Sequence, residues 1–187
     1  MERPPVFSLE VLADRALVKD VVKGMLILET NSILLSLFLA PPSHGAVRLP
    51  AVDDPELEEL IDQRTNLLIK SIEASVGAGS KSLRGQIAVE FYERRPKKAW
   101  FSKAEEKVCW EQWLLSVTLV NPRNDSERVR ARASIEHQLQ KAVLEIITTA
   151  SIRKDHIPPI TNDTNPFPYQ IIVSPKGDTW GARIGIF

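Results

Sequence analysis

The sequence predicts an α+β fold: an antiparallel sheet packed on three helices, with the first helix at the centre. Three observations lead there. Residues 15–39 are apolar on nearly every side, which is the mark of a helix covered on several faces. Residues 85–95 and 110–120 alternate with the two-residue period of half-buried strands. These strand patterns are neighbours in the chain, with few crossovers between them, and that favours antiparallel pairing.

The elements follow in order. VFSLEVL, residues 6–12, suits a short first strand, and Asp14 is placed to cap the helix after it. Pro41 and Pro42 end that helix. Asp54-Pro55 followed by acidic residues is a strong helix start. Leu57, Ile61, Leu68 and Ile72 then form an apolar stripe with a charged break at Arg64, and the glycines of SVGAGSKSLRG close the helix. On the next strand Ile87, Val89 and Phe91 share one face, with Glu90 and Tyr92 on the other. Trp113, Leu115, Val117 and Leu119 share a face of its partner. The expected connection, residues 96–109, is far longer than the usual two to five residues of a hairpin loop. A third helix from about Asp125 to Ile152 carries the stripe Ile135, Leu139, Ala142, Val143, Ile146 and Ala150. YQIIV and WGARIGIF complete the pattern as a final hairpin across SPKGD.

The 187 residues suit a single domain, 1–187, large enough for a sizeable core. The net charge is zero, which gives no electrostatic reason to expect nucleic acid as a partner. One cysteine, Cys109, excludes an internal disulfide and makes a reducing compartment the simpler expectation. The start MERPPVFSLEV lacks a signal-peptide pattern, so the sequons at Asn124 and Asn162 read as chance matches. MLILETNSILLSLFLA, residues 25–40, is too short for a membrane span and carries Glu29 and Asn31. A buried helix is expected there instead.

No catalytic motif is met, and no catalytic residue, cofactor or metal is expected. GAGSKS, residues 77–82, has Ser80 where a phosphate loop needs its second glycine, and it follows a helix rather than a strand. His44, His137 and His156 stand without a second ligand at metal-binding spacing, and solvated or capping roles are expected for all three. Cys109 reads as half-buried and structural. Glu58–Glu59 and Glu105–Glu106 lie in charged runs and read as solvated faces. A pocket that gathered one of the histidines beside a carboxylate would reopen the enzyme reading.

Three tryptophans fall in KKAWFSKAEEKVCWEQW, residues 97–113. Trp110 and Trp113 lead into a strand. Trp100 and Phe101 sit among lysines in the long connection. They either fold back on the sheet edge, anchor in a partner's pocket, or insert at a membrane surface.

GQIAVEFYERRPKKAWFS followed by CWEQWLLSVTLV resembles the autophagy-related protein 101 family. The shared features are Glu90-Phe91-Tyr92, the basic loop with Trp100 and Phe101, and Trp110-Glu111-Gln112-Trp113. HIPPI, residues 156–160, and Pro168-Tyr169 also fit, so the ordered match covers about residues 85–173. The resemblance implies a HORMA domain and a non-catalytic adaptor. Its implied partner is the HORMA domain of autophagy-related protein 13, within the kinase complex that initiates autophagy. It further implies that Trp100 and Phe101 form an exposed finger that recruits downstream factors. The third helix and its adjacent sheet edge are the implied pairing surface. The implied location is the cytoplasm, at the preautophagosomal structure. Two departures stand out. Animal members carry a residue between the Trp and the Phe, which are adjacent here. Little chain follows the last predicted strand to make the C-terminal belt of a closed HORMA domain, so an open-like state without a belt is expected. The other readings are a HORMA adaptor of another pathway, such as a checkpoint, and a small enzyme with a dispersed site.

Overall fold

The computed structural model describes residues 3–38, 55–77, 83–96, 105–159 and 168–174. Four strands and three helices run in the order β1 (Val6–Asp14), α1 (Val18–Phe38), α2 (Pro55–Gly77), β2 (Arg84–Pro96), β3 (Glu105–Val120), α3 (Asp125–Ile152) and β4 (Tyr169–Val173). The helices pack on one face of the sheet. α1 lies between α2 and α3, α3 rests on β1, and α2 rests on β2 and β4. The expected α+β architecture with a central first helix is the observed one.

Each helix buries the face its sequence marks. α1 buries Val18, Val22, Met25 and Leu26, while Val21, Ile27 and Leu28 pack partly against the core. It begins later than expected, because Asp14 is committed to the preceding turn. Its Oδ1 accepts the N–H groups of Ala16 and Leu17 at 2.9 and 2.8 Å. In α2 the expected stripe is buried, and Thr65, fully buried, bridges its gap beside Arg64. Lys23 and Asp62 tie α1 to α2 at 3.3 Å. α3 starts in a reciprocal cap. Asn124 Oδ1 accepts the Glu127 N–H at 2.8 Å, and Glu127 Oε2 accepts the Arg123 N–H at 2.7 Å. Ile135, Ala142, Ile146 and Ala150 of its stripe are buried.

The strand order is β1-β3-β2-β4. β2 pairs antiparallel with β3, as expected, and on its other side antiparallel with β4. β1 does not follow the antiparallel expectation: it pairs parallel with β3, from Val6↔Gln112 to Asp14↔Val120. The reason is the return path. α1 and α2 carry the chain across the sheet, β2 then runs against β1's direction, and β3 reverses again beside β1.

The β2–β3 ribbon is also longer than expected. Pairing continues through Tyr92↔Cys109 and Arg95↔Glu106 to Pro96↔Glu105, so only residues 97–104 join the strands. The extension had no apolar alternation to reveal it. Past the core it is a charged two-stranded ribbon, with Arg95 facing Glu106 across the pair. Past Ser174, the rest of the turn SPKGD and the segment WGARIGIF of the expected last hairpin lie outside the described residues, as does His44.

α2 sits directly on β2 at Gly85. A β-carbon there would lie 2.5 Å from Ile72 Cγ1 and 2.8 Å from Leu68 Cδ1, both fully packed side chains. Gly85→Ala is therefore expected to lower stability by about 1–3 kcal/mol through overpacking. The urea midpoint at constant slope measures this; an unchanged midpoint would show that α2 shifts without cost.

Candidate functional site

Trp113 lies on the helix-facing side of β3, as its alternation requires, with its ring 4.8 Å from that of Phe7 on β1. Trp110 reaches the same core by a different route. The register of β2 and β3 shifts between Phe91 and Tyr92, so Trp110 and Glu111 together oppose Phe91. This is a bulge, and it breaks the strict alternation. Trp110 consequently packs against Phe91 and His156, each at a ring distance of 5.8 Å.

Glu111, 4% exposed, is buried in this aromatic setting. One carboxylate oxygen accepts the Trp113 indole N–H, and the other accepts from His156 Nε2 at 2.5 Å. His156 thus corrects the expectation of a solvated or capping histidine. It is half-buried, in the segment just after α3, and paired with a carboxylate 45 residues away in sequence. Arg153, the C-cap of α3, places its guanidinium 5.7 Å above Phe7. His137 stays exposed on α3, as expected.

The His156–Glu111 pair sets a histidine beside a carboxylate, but its surroundings are those of a packed core. Both carboxylate oxygens are engaged, and the imidazole lies beside the rings of Phe7 and Trp110. Cys109 is the nearby nucleophile candidate. Burial, aided by the charge of Glu90, pushes its thiol up to about 12, so it is not a thiolate at neutral pH. It is half-buried, as expected, and interacts with Gln112, which in turn bonds Glu90 at 3.4 Å. Among the described residues no group of His, Cys, Asp and Glu is arranged to hold a metal.

Two surfaces offer contacts. On α3, Leu144 and Ile147 are 64% and 46% exposed and lie one turn apart, away from the buried stripe. Beside α2, Leu60, Arg64, Leu67 and Ser71 face β4 across a groove of about 810 Å³. Trp100 and Phe101 lie outside the described residues, in the segment that joins Pro96 to Glu105.

A four-stranded sheet carrying three helices on one face, the first of them central, defines a HORMA-like α+β domain. The family model of autophagy-related protein 101 matches residues 10–164, and the chain belongs to that family. The match reaches back through both early helices, beyond the strand and loop motifs that carried the resemblance. The chain is similar to autophagy-related protein 101 of Schizosaccharomyces pombe, with 29% identity over 74% of this chain and 69% of that protein. It is 27% identical to the Arabidopsis thaliana protein over 66% of this chain and 64% of that one. The Xenopus tropicalis protein is 28% identical over 40% of this chain and 33% of its own length. The match thus spans about two thirds of the first two relatives and one third of the frog protein. Family membership gives the chain a role in autophagy. No helix among the described residues is long and apolar enough to cross a membrane.

Proposed function

We propose that this chain is a non-catalytic adaptor of autophagy initiation. It pairs through α3 and the neighbouring edge of β1 with the HORMA domain of autophagy-related protein 13, inside the initiating kinase complex. Trp100 and Phe101 serve as its second contact, a finger for downstream factors. The work is done in the cytoplasm, at the preautophagosomal structure.

The observation that carries the finger is the ribbon. Buried packing on β2 and β3 ends at Phe91 and Trp110, yet strand pairing runs on to Pro96↔Glu105. Strand rise is about 3.3 Å per residue, so the end of the paired ribbon at Pro96 and Glu105 stands roughly 15 Å beyond the last buried residues. Arg94, Arg95, Glu105 and Lys107 along it are exposed, which suits a solvated arm. Such an arm favours an outward anchor over aromatics packed back on the sheet edge. Family membership supports the same reading over a checkpoint adaptor.

Trp100→Ala with Phe101→Ala is expected to leave the melting transition and the pairing with the autophagy-related protein 13 domain unchanged, while autophagic flux is lost. Calorimetry, pull-down and a flux assay measure the three. Unfolding of the double variant, or loss of the HORMA partner, makes the pair structural and ends the finger reading. Release from anionic vesicles instead of from a protein partner would assign the rings to a membrane.

A further inference from the structure

We infer that Glu111 and His156 form a clamp by which the C-terminal end of α3 holds the root of the β2–β3 ribbon. β1 pairs with β3 only from Gln112 onward, helped by the Gln112 N–H bond to the Pro5 carbonyl at 3.1 Å. Residues 105–111 of β3 therefore have β2 as their one strand neighbour among the described residues. The bulge at Trp110 interrupts even that ladder, and a bulged ladder is locally weaker. The stretch that launches the ribbon is thus the least supported part of the strand.

The bond made by His156 falls on this stretch. Glu111 Oε2 accepts from its Nε2 at 2.5 Å, which requires the proton on Nε2. The imidazole is held from its own side by the turn in which the Ile157 N–H donates to the Lys154 carbonyl at 3.1 Å. Arg153, one turn end further back, bonds the Thr149 carbonyl of α3 and covers Phe7. The chain of contacts runs α3, Arg153–Ile157, Glu111, β3 root. The His156–Glu111 bond lies beside the rings of Phe7 and Trp110, with Glu111 4% exposed. The bond makes residues 105–111 and 153–158 one cooperative unit. Its consequence for docking, that the α3 pairing face and the β2–β3 ribbon keep a fixed relative direction, rests on the adaptor reading; the clamp does not.

Native-state hydrogen exchange on the full chain tests it. In the wild-type protein the amides of 106–110 and the hydrogen-bonded amides of Arg153 and Ile157 are expected to open together, with matching protection. His156→Phe keeps a ring beside Phe7 and Trp110 but removes the donor; it is expected to speed exchange at 106–110 at least tenfold and leave 113–119 unchanged. His156→Gln retains an N–H donor and is expected to restore most of the protection. Unequal wild-type opening, or protection at 106–110 that survives in His156→Phe, overturns the clamp. So does an even loss across all of β3, which marks general destabilisation. Should His156→Phe fail to fold, the wild-type opening and His156→Gln still decide. A parallel Trp100→Ala/Phe101→Ala flux assay separates the readings: its failure removes the finger, while the exchange data judge the clamp alone.

Discussion

Charging the outer face of α3, with Leu144→Glu and Ile147→Glu together, is expected to weaken pairing with the autophagy-related protein 13 HORMA domain at least a hundredfold, a loss on the order of 3 kcal/mol. Leu144 projects from the face opposite the stripe formed by Ala142 and Ile146, Ile147 from its flank, and neither belongs to the core. Surface changes of this kind usually move stability by less than about 0.5 kcal/mol. Glutamate also keeps good helix propensity. In an interface the same positions become desolvated, and an unpaired carboxylate forced into an apolar contact loses its hydration without recompense. Titration calorimetry gives the affinity, and circular dichroism confirms the fold. Unchanged affinity would remove α3 as the pairing surface and turn attention to the groove between α2 and β4.

Removing the carboxylate of Glu29 is expected to stabilise the protein and flatten its dependence on pH. Glu29 lies in the middle of α1, fully buried, and neither oxygen has a hydrogen-bond partner among the described residues. Burial raises its pKa from 4.5 to about 8. The sign follows from proton linkage. Below pH 4.5 both folded and unfolded chains hold the proton, and the group carries no pH-dependent penalty. Between 4.5 and 8 the unfolded chain ionises while the folded chain stays protonated, so stability falls by about 1.4 kcal/mol per pH unit. Above 8 the loss levels off. At pH 7 the cost is on the order of 3 kcal/mol. Glu29→Gln removes this ionisation, and Glu29→Met also removes the unpaired polar atoms at similar volume. Urea unfolding at pH 5.5, 7 and 8.5 should show higher midpoints for both variants at the two upper pH values, and a shallower pH slope. An unchanged slope would mean that the Glu29 carboxylate is solvated in the folded chain.

Glu29 is legible in the sequence only in part. It stood out as an acidic residue in an apolar helix, and that argued against a membrane span. Its complete burial depends on how α1 is enclosed by its neighbours. The residues proposed for docking differ in how far the sequence marks them. Trp100 and Phe101 drew notice as large aromatics in a charged loop, but the exposed Leu144 and Ile147 did not. In an amphipathic helix with a broad apolar face, two more aliphatics carry no mark of which side they take.

What the sequence by itself determined is local. The 3.6-residue spacing of Leu57, Ile61, Leu68 and Ile72 set the buried side of α2, and that of Ile135, Ala142, Ile146 and Ala150 set that of α3. The two-residue spacing from Trp113 to Leu119 set the inner side of β3. These hold because each stripe must leave water wherever it ends up. Only the tertiary structure decided that β1 runs parallel to β3, that a bulge turns Trp110 inward, and that His156 meets Glu111. Those features depend on which distant segments meet and in what register. Each residue involved satisfies its local pattern equally well in other arrangements, and the selection comes from the shared core that all the elements must fill at once.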